Sequence, residues 1–323
     1  MNLPRSIRRR GYSAAAVLAF VALLPRAASS QQPAVTPAAS PAIAELGVEI
    51  PTLGGAKWGA VQRRYVNPQT MQDIRENLHA TYVRTGWIPD RLRFEKIRWY
   101  REDSGMDIIC GSGLRLMVIV PGPKEDVKLG QDLVDNVREF FARYTKREPG
   151  CIRYAELANE ADLPINGFAA VTDYAPYYQR VAPVVASFGI DVITSGVSGE
   201  DRPWTAALAA ILNGARPPAP LSGYGFHPYG VAPSRMADAT LAIRTAAGPL
   251  PNGTLPTVYV TEIGQSKPRD LYQTIVNLAP VTPAITVYEY LAQPGEDPQY
   301  GLKDNPDLYR AMQSAWEFIH SRP

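Results

Sequence analysis

The chain has 323 residues, 46% of them hydrophobic and 20% charged, the balance of an ordinary globular protein. Its formal charge of +2 is unevenly spread: residues 1–30 hold Arg5, Arg8, Arg9, Arg10 and Arg26 and no acid, leaving 28 basic against 31 acidic residues in the remainder. Without a dense basic patch there is no footprint for a nucleic-acid partner.

The N-terminal stretch has the layout of an export signal. Arg5 to Arg10 form a charged segment, Ala14–Leu24 an apolar core, and Ala27-Ala28-Ser29-Ser30 a small-residue cleavage zone. The apolar run, roughly a dozen residues, falls short of the twenty or so that span a bilayer. An uncleaved anchor is the alternative; with cleavage after about residue 30 no membrane span is expected and the protein is secreted or periplasmic. Residues 31–45, rich in Pro, Ala and Ser, are expected to form a flexible tether ahead of a single domain over 46–323.

Eight β-like runs then alternate with helical patterns. The first is placed at Lys57–Val61, containing Trp58, and the second at Thr81–Thr85. The third is Arg115–Val120, followed by a helix carrying Leu133, Val137, Phe140, Phe141 and Tyr144 on one face. The fourth starts at Cys151 and ends on Asn159-Glu160. The fifth is Asp191–Ser195, the sixth Ser222–His227, the seventh Thr257–Glu262 and the eighth Ala284–Tyr290; a last helix covers Pro306–Ser321. Strands spaced by helices predict a parallel sheet, and eight units without a compositional break predict a closed (β/α)8 TIM barrel. An open doubly wound sheet competes, but no Gly-rich phosphate turn follows the first run.

Cys110 precedes the third run and Cys151 opens the fourth, so neighbouring strands would bring both to the bottom of a barrel. A disulfide and a pair of buried thiols both fit.

Chemistry concentrates at strand ends. Glu160 and Glu262 close the fourth and seventh runs, and the C-terminal rim of a barrel is its catalytic face. Two carboxyl groups facing each other there can hydrolyse a glycoside, one protonating the leaving oxygen while the other attacks the sugar. Arg84, His227 and Tyr229 end strands on the same rim, with Arg84 placed to keep Glu262 charged. Glu156, in phase with Glu160, is a candidate buried partner for a basic group. Trp87 and Trp204 follow the second and fifth runs and are candidate sugar platforms or loop anchors. The three histidines are far apart and form no H-E-x-x-H pattern, so no metal is expected. No nucleophile elbow, P-loop or dinucleotide fingerprint appears, and no cofactor is expected.

The sequence resembles the clan A retaining glycoside hydrolases, and is closest in layout to families five and thirty-nine, from about Leu53 to Ile319. Tyr154-Ala155-Glu156-Leu157-Ala158-Asn159-Glu160 resembles the fourth-strand signature, in which Asn contacts the sugar 2-hydroxyl and the last Glu is the acid/base. Val260-Thr261-Glu262 resembles the nucleophile strand, His227-Pro228-Tyr229 the sixth-strand pair beside it, and Arg84 stands at the second-strand arginine. Tyr300-Gly301-Leu302 is similar to a turn after the eighth strand. Ala158 and Ala161 replace residues that are often aromatic and proline in the family, and Tyr288, Glu289 and Tyr290 stand where many members carry a Trp platform. The resemblance implies an exported retaining glycosidase with a carbohydrate substrate, Glu160 and Glu262 catalytic, and Asn159, Arg84, His227, Tyr229, Trp87, Trp204 and Tyr290 binding substrate. A non-catalytic glycan-binding barrel and a transglycosylase remain alternatives; sugar, linkage and oligomeric state are not legible.

Overall fold

The computed structural model describes residues 44–52, 65–86, 99–122, 132–292 and 298–321. The 57–61 run, Trp58, Trp87 and residues 1–43, with the proposed signal and most of the tether, lie outside the described residues.

The first strand among the described residues is β1, Glu45–Thr52. It starts one residue inside the stretch read as tether. Its sequence, ELGVEIPT, alternates: Leu46, Val48 and Ile50 are fully buried under the helices, while Gly47 and Glu49 face the barrel interior. Gly47 and two glutamates on the inner face disguise that alternation.

β2 (Tyr82–Gly86), β3 (Arg115–Val120), β4 (Ile152–Leu157) and β5 (Asp191–Thr194) follow. Then come β6 (Val197–Ser198), β7 (Tyr224–His227), β8 (Val258–Ile263) and β9 (Ala284–Val287). Every pairing is parallel, in the order β5-β4-β3-β2-β1-β9-β8-β7-β6. β5 and β6 are one stave bent at Ser195-Gly196. β5 meets the chain entering β7 through the Ile193–Gly223 bridge, with Ser222 N–H donating to Val192 O (2.8 Å) and Thr194 N–H to Gly223 O (3.1 Å). β6 then pairs with β7. The nine segments thus make the eight staves of a (β/α)8 barrel. Closure needs Gly225, because a Cβ there would lie 2.6 Å from Thr194 O.

The helices form the outer layer: α1 (Pro68–Gln72, running on into a π turn over Asp73–Asn77), α2 (Trp99–Gly111), α3 (Asp132–Arg147) and α4 (Val171–Ala186). α5 (Arg202–Gly214), α6 (Met236–Ala247), α7 (Pro268–Leu278) and α8 (Pro306–His320) complete it. On α3 the five apolar residues at helical spacing are all buried. Asn67, Asp201 and Asn305 cap α1, α5 and α8 with their side chains, each ahead of a proline in the first turn. Among the described residues no helix is long and apolar enough to cross a membrane.

Inside the barrel, Tyr82, Met117, Tyr154, Ile193, Tyr259 and Ala284 form a separate buried cluster. Tyr82 and Tyr259 meet Tyr154 edge-on at 5.9 and 5.6 Å. This plug fills the middle of the barrel and separates the polar groups of the C-terminal half from Glu45 and Arg115 at the opposite end. At the opposite end Cys110 and Cys151 are joined, with Cα atoms 5.6 Å apart, tying the end of α2 to the entry of β4. The link closes a 41-residue separation, for which loop entropy gives up to about 4 kcal/mol. A Cys110→Ala/Cys151→Ala variant should therefore keep the fold and lose stability by up to about that amount in urea denaturation; an unchanged midpoint would show the link to be neutral.

Candidate active site

Parallel register sets the site. Glu49 on β1 lies beside Arg84 on β2, so both project from the same level of the barrel interior. Arg84 is completely buried. Its Nε donates to Glu156 Oε2 (2.7 Å), Nη1 to Glu262 Oε2 (2.6 Å) and also to Glu49 Oε2, and Nη2 to Asn159 Oδ1 (2.6 Å). Since guanidinium only donates, the Asn159 oxygen must face it, which leaves Nδ2 to donate elsewhere.

A regular strand sends neighbouring side chains to opposite faces, yet Asn159 and Glu160 both reach this cluster. Their chain achieves it by turning left-handed at Ala158 (φ 68°) and Glu160 (φ 42°), conformations costing about 1–3 kcal/mol each for residues with a Cβ. The turn is held by Leu163 N–H and Asn166 Nδ2 donating to Glu160 O (2.9 and 3.1 Å) and by Ala161 N–H donating to Ser195 Oγ (2.8 Å).

His227, at the end of β7 and fully buried, joins the two sides. Nδ1 lies 3.2 Å from Glu160 Oε1 and Nε2 3.0 Å from Thr261 Oγ1, whose hydroxyl donates to Glu156 Oε1 (2.9 Å). Its seat requires Gly196, where a Cβ would lie 2.3 Å from the imidazole. The same residue's N–H, freed from the ladder by the bend after β5, donates to Glu156 Oε1 at 2.8 Å. Tyr229 donates its hydroxyl to Glu262 Oε1.

Burial alone would favour neutral carboxyls, but the neighbouring charges overrule it selectively. Burial would push Glu156 up, yet Arg84 and His227 hold it at about 2. Glu262 is likewise opposed by burial and still lies below the usual carboxylate range, because His227, Arg84 and the Tyr229 hydroxyl favour its charge. In Glu49 burial prevails: despite Arg84, and helped by the Glu262 carboxylate, its carboxyl rises to about 8. Burial would discharge His227, but Glu262, Glu156 and Glu160 push it up to about 10. At neutral pH two cations thus face the carboxylates of Glu156 and Glu262, with Glu49 protonated.

Glu160, His227 and Glu262 each place one polar atom within 4.8 Å of the others. Distance alone would suit a divalent cation. Charge does not, since Arg84 sits on Glu262 and His227 would have to give up its proton to ligate.

Of the residues singled out in the sequence, Glu160, Glu262, Asn159, Arg84, His227 and Tyr229 converge, and Glu156 is the partner of a base, Arg84. Two others are elsewhere. Tyr290 is buried with its hydroxyl spent on Asp73 Oδ2 (2.6 Å) beside α1, because the last strand ends at Val287 and the chain turns before reaching it. Trp204 lies in the first turn of α5, half-buried against the core with its ring 5.3 Å from Tyr174, a placement that fits a loop anchor. Glu49 was missed with its strand; the Leu46-Val48-Ile50 alternation was the signal that would have found it.

No protein-family model matches the chain, and no curated protein matches it in sequence. Solved structures do match its fold. A GH5_18 protein from Bifidobacterium longum subsp. longum aligns over 87% of this chain and 80% of its own, at 15% identity and TM-score 0.63. A GH39 β-xylosidase from Caulobacter crescentus aligns over 85% and 72%, at 15% identity and TM-score 0.61. A GH5_18 structure from Streptomyces cattleya in complex with GlcNAc aligns over 88% and 82%, at 13% identity and TM-score 0.61. The chain therefore has the barrel fold found in these glycoside hydrolases.

The charge arrangement has a measurable cost at high pH. A group whose value is raised on folding binds more protons when folded, so its contribution is complete below the unfolded value and lost as pH climbs through the folded one. For His227 that window runs from 6.5 to about 10, and Glu49 loses its contribution in the same direction, between 4.5 and about 8. Thermal midpoints should fall steadily from mildly acidic pH to pH 10, and His227→Gln should flatten the slope above pH 6.5; an identical slope in the variant would remove His227 from the account.

Proposed function

We propose that this protein is a retaining glycoside hydrolase, with Glu262 as nucleophile and Glu160 as acid/base. The observation that carries this reading is the separation of their oxygens, within 4.8 Å, at the C-terminal rim of the barrel. Retention uses about 5–5.5 Å, whereas inversion needs roughly 6.5–9.5 Å to admit a water. The two carboxyls sit in different environments. Glu262 is held charged by Arg84, His227 and Tyr229. Glu160 offers Oε2, which takes no hydrogen bond from the described residues, and its side chain is the more exposed of the two, at 17% against 10%.

In the first step Glu262 attacks the anomeric carbon while Glu160 gives its proton to the glycosidic oxygen. The glycosidic C–O bond breaks, an ester to Glu262 forms, and the alcohol leaves. Glu160, now a carboxylate, takes a proton from water as that water attacks the same carbon; the ester opens, the sugar leaves with retained configuration and both acids return to their starting states. Arg84 and Tyr229 fix both oxygens of Glu262, and Asn159, fixed through its oxygen, presents Nδ2 to a sugar hydroxyl.

Export to a secreted or periplasmic location belongs to the same reading. It is supported by the N-terminal signal-like stretch and by the Cys110–Cys151 link, which favours an oxidising compartment. Edman sequencing of the exported protein should begin near residue 31.

Activity on a panel of aryl glycosides and polysaccharides tests the chemistry. Glu262→Ala should lose several orders of magnitude in kcat and recover part of it with azide, yielding a glycosyl azide of inverted configuration. Glu160→Ala should lose about 10²–10⁴-fold on substrates with poor leaving groups and far less on dinitrophenyl glycosides. Near wild-type turnover in Glu262→Ala overturns the assignment.

A further inference from the structure

A third carboxyl at the rim has no part in the two-step chemistry. Glu49 reaches Arg84 Nη1 with Oε2 alone, the same nitrogen that holds Glu262. Its Oε1 takes no hydrogen bond from the described residues, and its side chain is 13% exposed inside the barrel mouth. It therefore stands beside the proposed nucleophile with one oxygen turned to the space a substrate must fill. Glu160 is held by His227 instead, and its strand lies farther round the barrel from β1 than does that of Glu262.

In double displacement the attacked sugar lies over the nucleophile, and the leaving group lies toward the acid. A side chain sharing a guanidinium nitrogen with the nucleophile consequently meets the attacked sugar, the glycon, and not the leaving group. We infer that Glu49 is a specificity-determining residue that selects a neutral glycon by hydrogen-bonding one of its ring hydroxyls through Oε1, an inference that rests on the glycosidase reading above.

Two further observations agree. The cations buried in the site, Arg84 and His227, are committed to Glu49, Glu156, Glu160, Glu262 and Asn159, so neither is free to pair with a uronate or sulfated sugar, which would meet carboxyl groups there. Burial also keeps the Glu49 proton at neutral pH, its value being pushed up to about 8, so Oε1 is able to donate as well as accept.

The test compares wild type, Glu49→Gln and Glu49→Ala on aryl glycosides differing by one glycon hydroxyl: gluco, galacto, manno and xylo epimers, the matching glucuronide, and monodeoxy versions of whichever is cleaved best. With wild type, one deoxy position should cost about a hundredfold or more in kcat/KM, and the glucuronide should not be cleaved. In Glu49→Ala that single penalty should shrink to within about threefold, while the penalties at other positions and the dependence on leaving-group pKa stay as in wild type. Glu49→Gln, which keeps the shape and a donor, should retain an intermediate penalty, and it carries the measurement should the alanine variant fail to fold. A loss equal across all glycons, or preference for the glucuronide, overturns the role of Glu49 and leaves the glycosidase intact. Absence of turnover by wild type on the whole panel overturns both.

Discussion

A guanidinium with no access to water must find acceptors on every side, and most of this barrel's upper half answers that need. Arg84 takes Glu49 from β1, Glu156 from β4, Asn159 from the turn after β4 and Glu262 from β8. Burying an ion costs several kcal/mol unless the geometry is good and the remaining donors are met. The rigid fork of Arg meets that condition where the flexible ammonium of Lys would not. One side chain thereby draws the ends of distant staves to a common point above the tyrosine plug. Its removal would strand Glu156 and Glu262 as buried anions.

The same cation explains how similar carboxyl groups come to differ. Glu156 is clasped by Arg84, His227, Thr261 and an amide, and stays ionised far into acid. Glu262 shares Arg84 but adds His227 and Tyr229. Glu49 shares Arg84 and feels His227, but it lacks the Tyr229 hydrogen bond and faces the Glu262 charge, and burial wins. Three acids contacting one base thus end in two protonation states at neutral pH, Glu156 and Glu262 charged and Glu49 neutral.

How much of this could be read from the chain depended on how each residue announces itself. Asn159-Glu160 and Val260-Thr261-Glu262 end apolar runs, so both their strands and their place on the rim were legible, as were Arg84 and the His227-x-Tyr229 pair. Glu49 was not, because an inward-facing strand lined with acids and glycine lacks the apolar content that marks a strand. Tyr290 failed for the opposite reason: its neighbours continue the β pattern past the point where the ladder stops at Val287, and only tertiary packing reveals that its hydroxyl goes to Asp73. The bend that splits β5 from β6 was likewise invisible, since Ser195-Gly196 resembles any strand end. The left-handed turn at Ala158 and Glu160 gave no warning either, as neither residue favours that conformation.

That bend has an evolutionary corollary. By leaving the ladder, the Gly196 amide becomes available to Glu156, and the missing side chain makes room for the imidazole of His227. A straight, side-chain-bearing fifth stave would withdraw the amide and collide with the ring in one stroke. In divergent sequences of this barrel the glycine, the inner glutamate and the histidine should accordingly be kept or abandoned as a set, a three-way covariation that can be sought among related sequences without any assay.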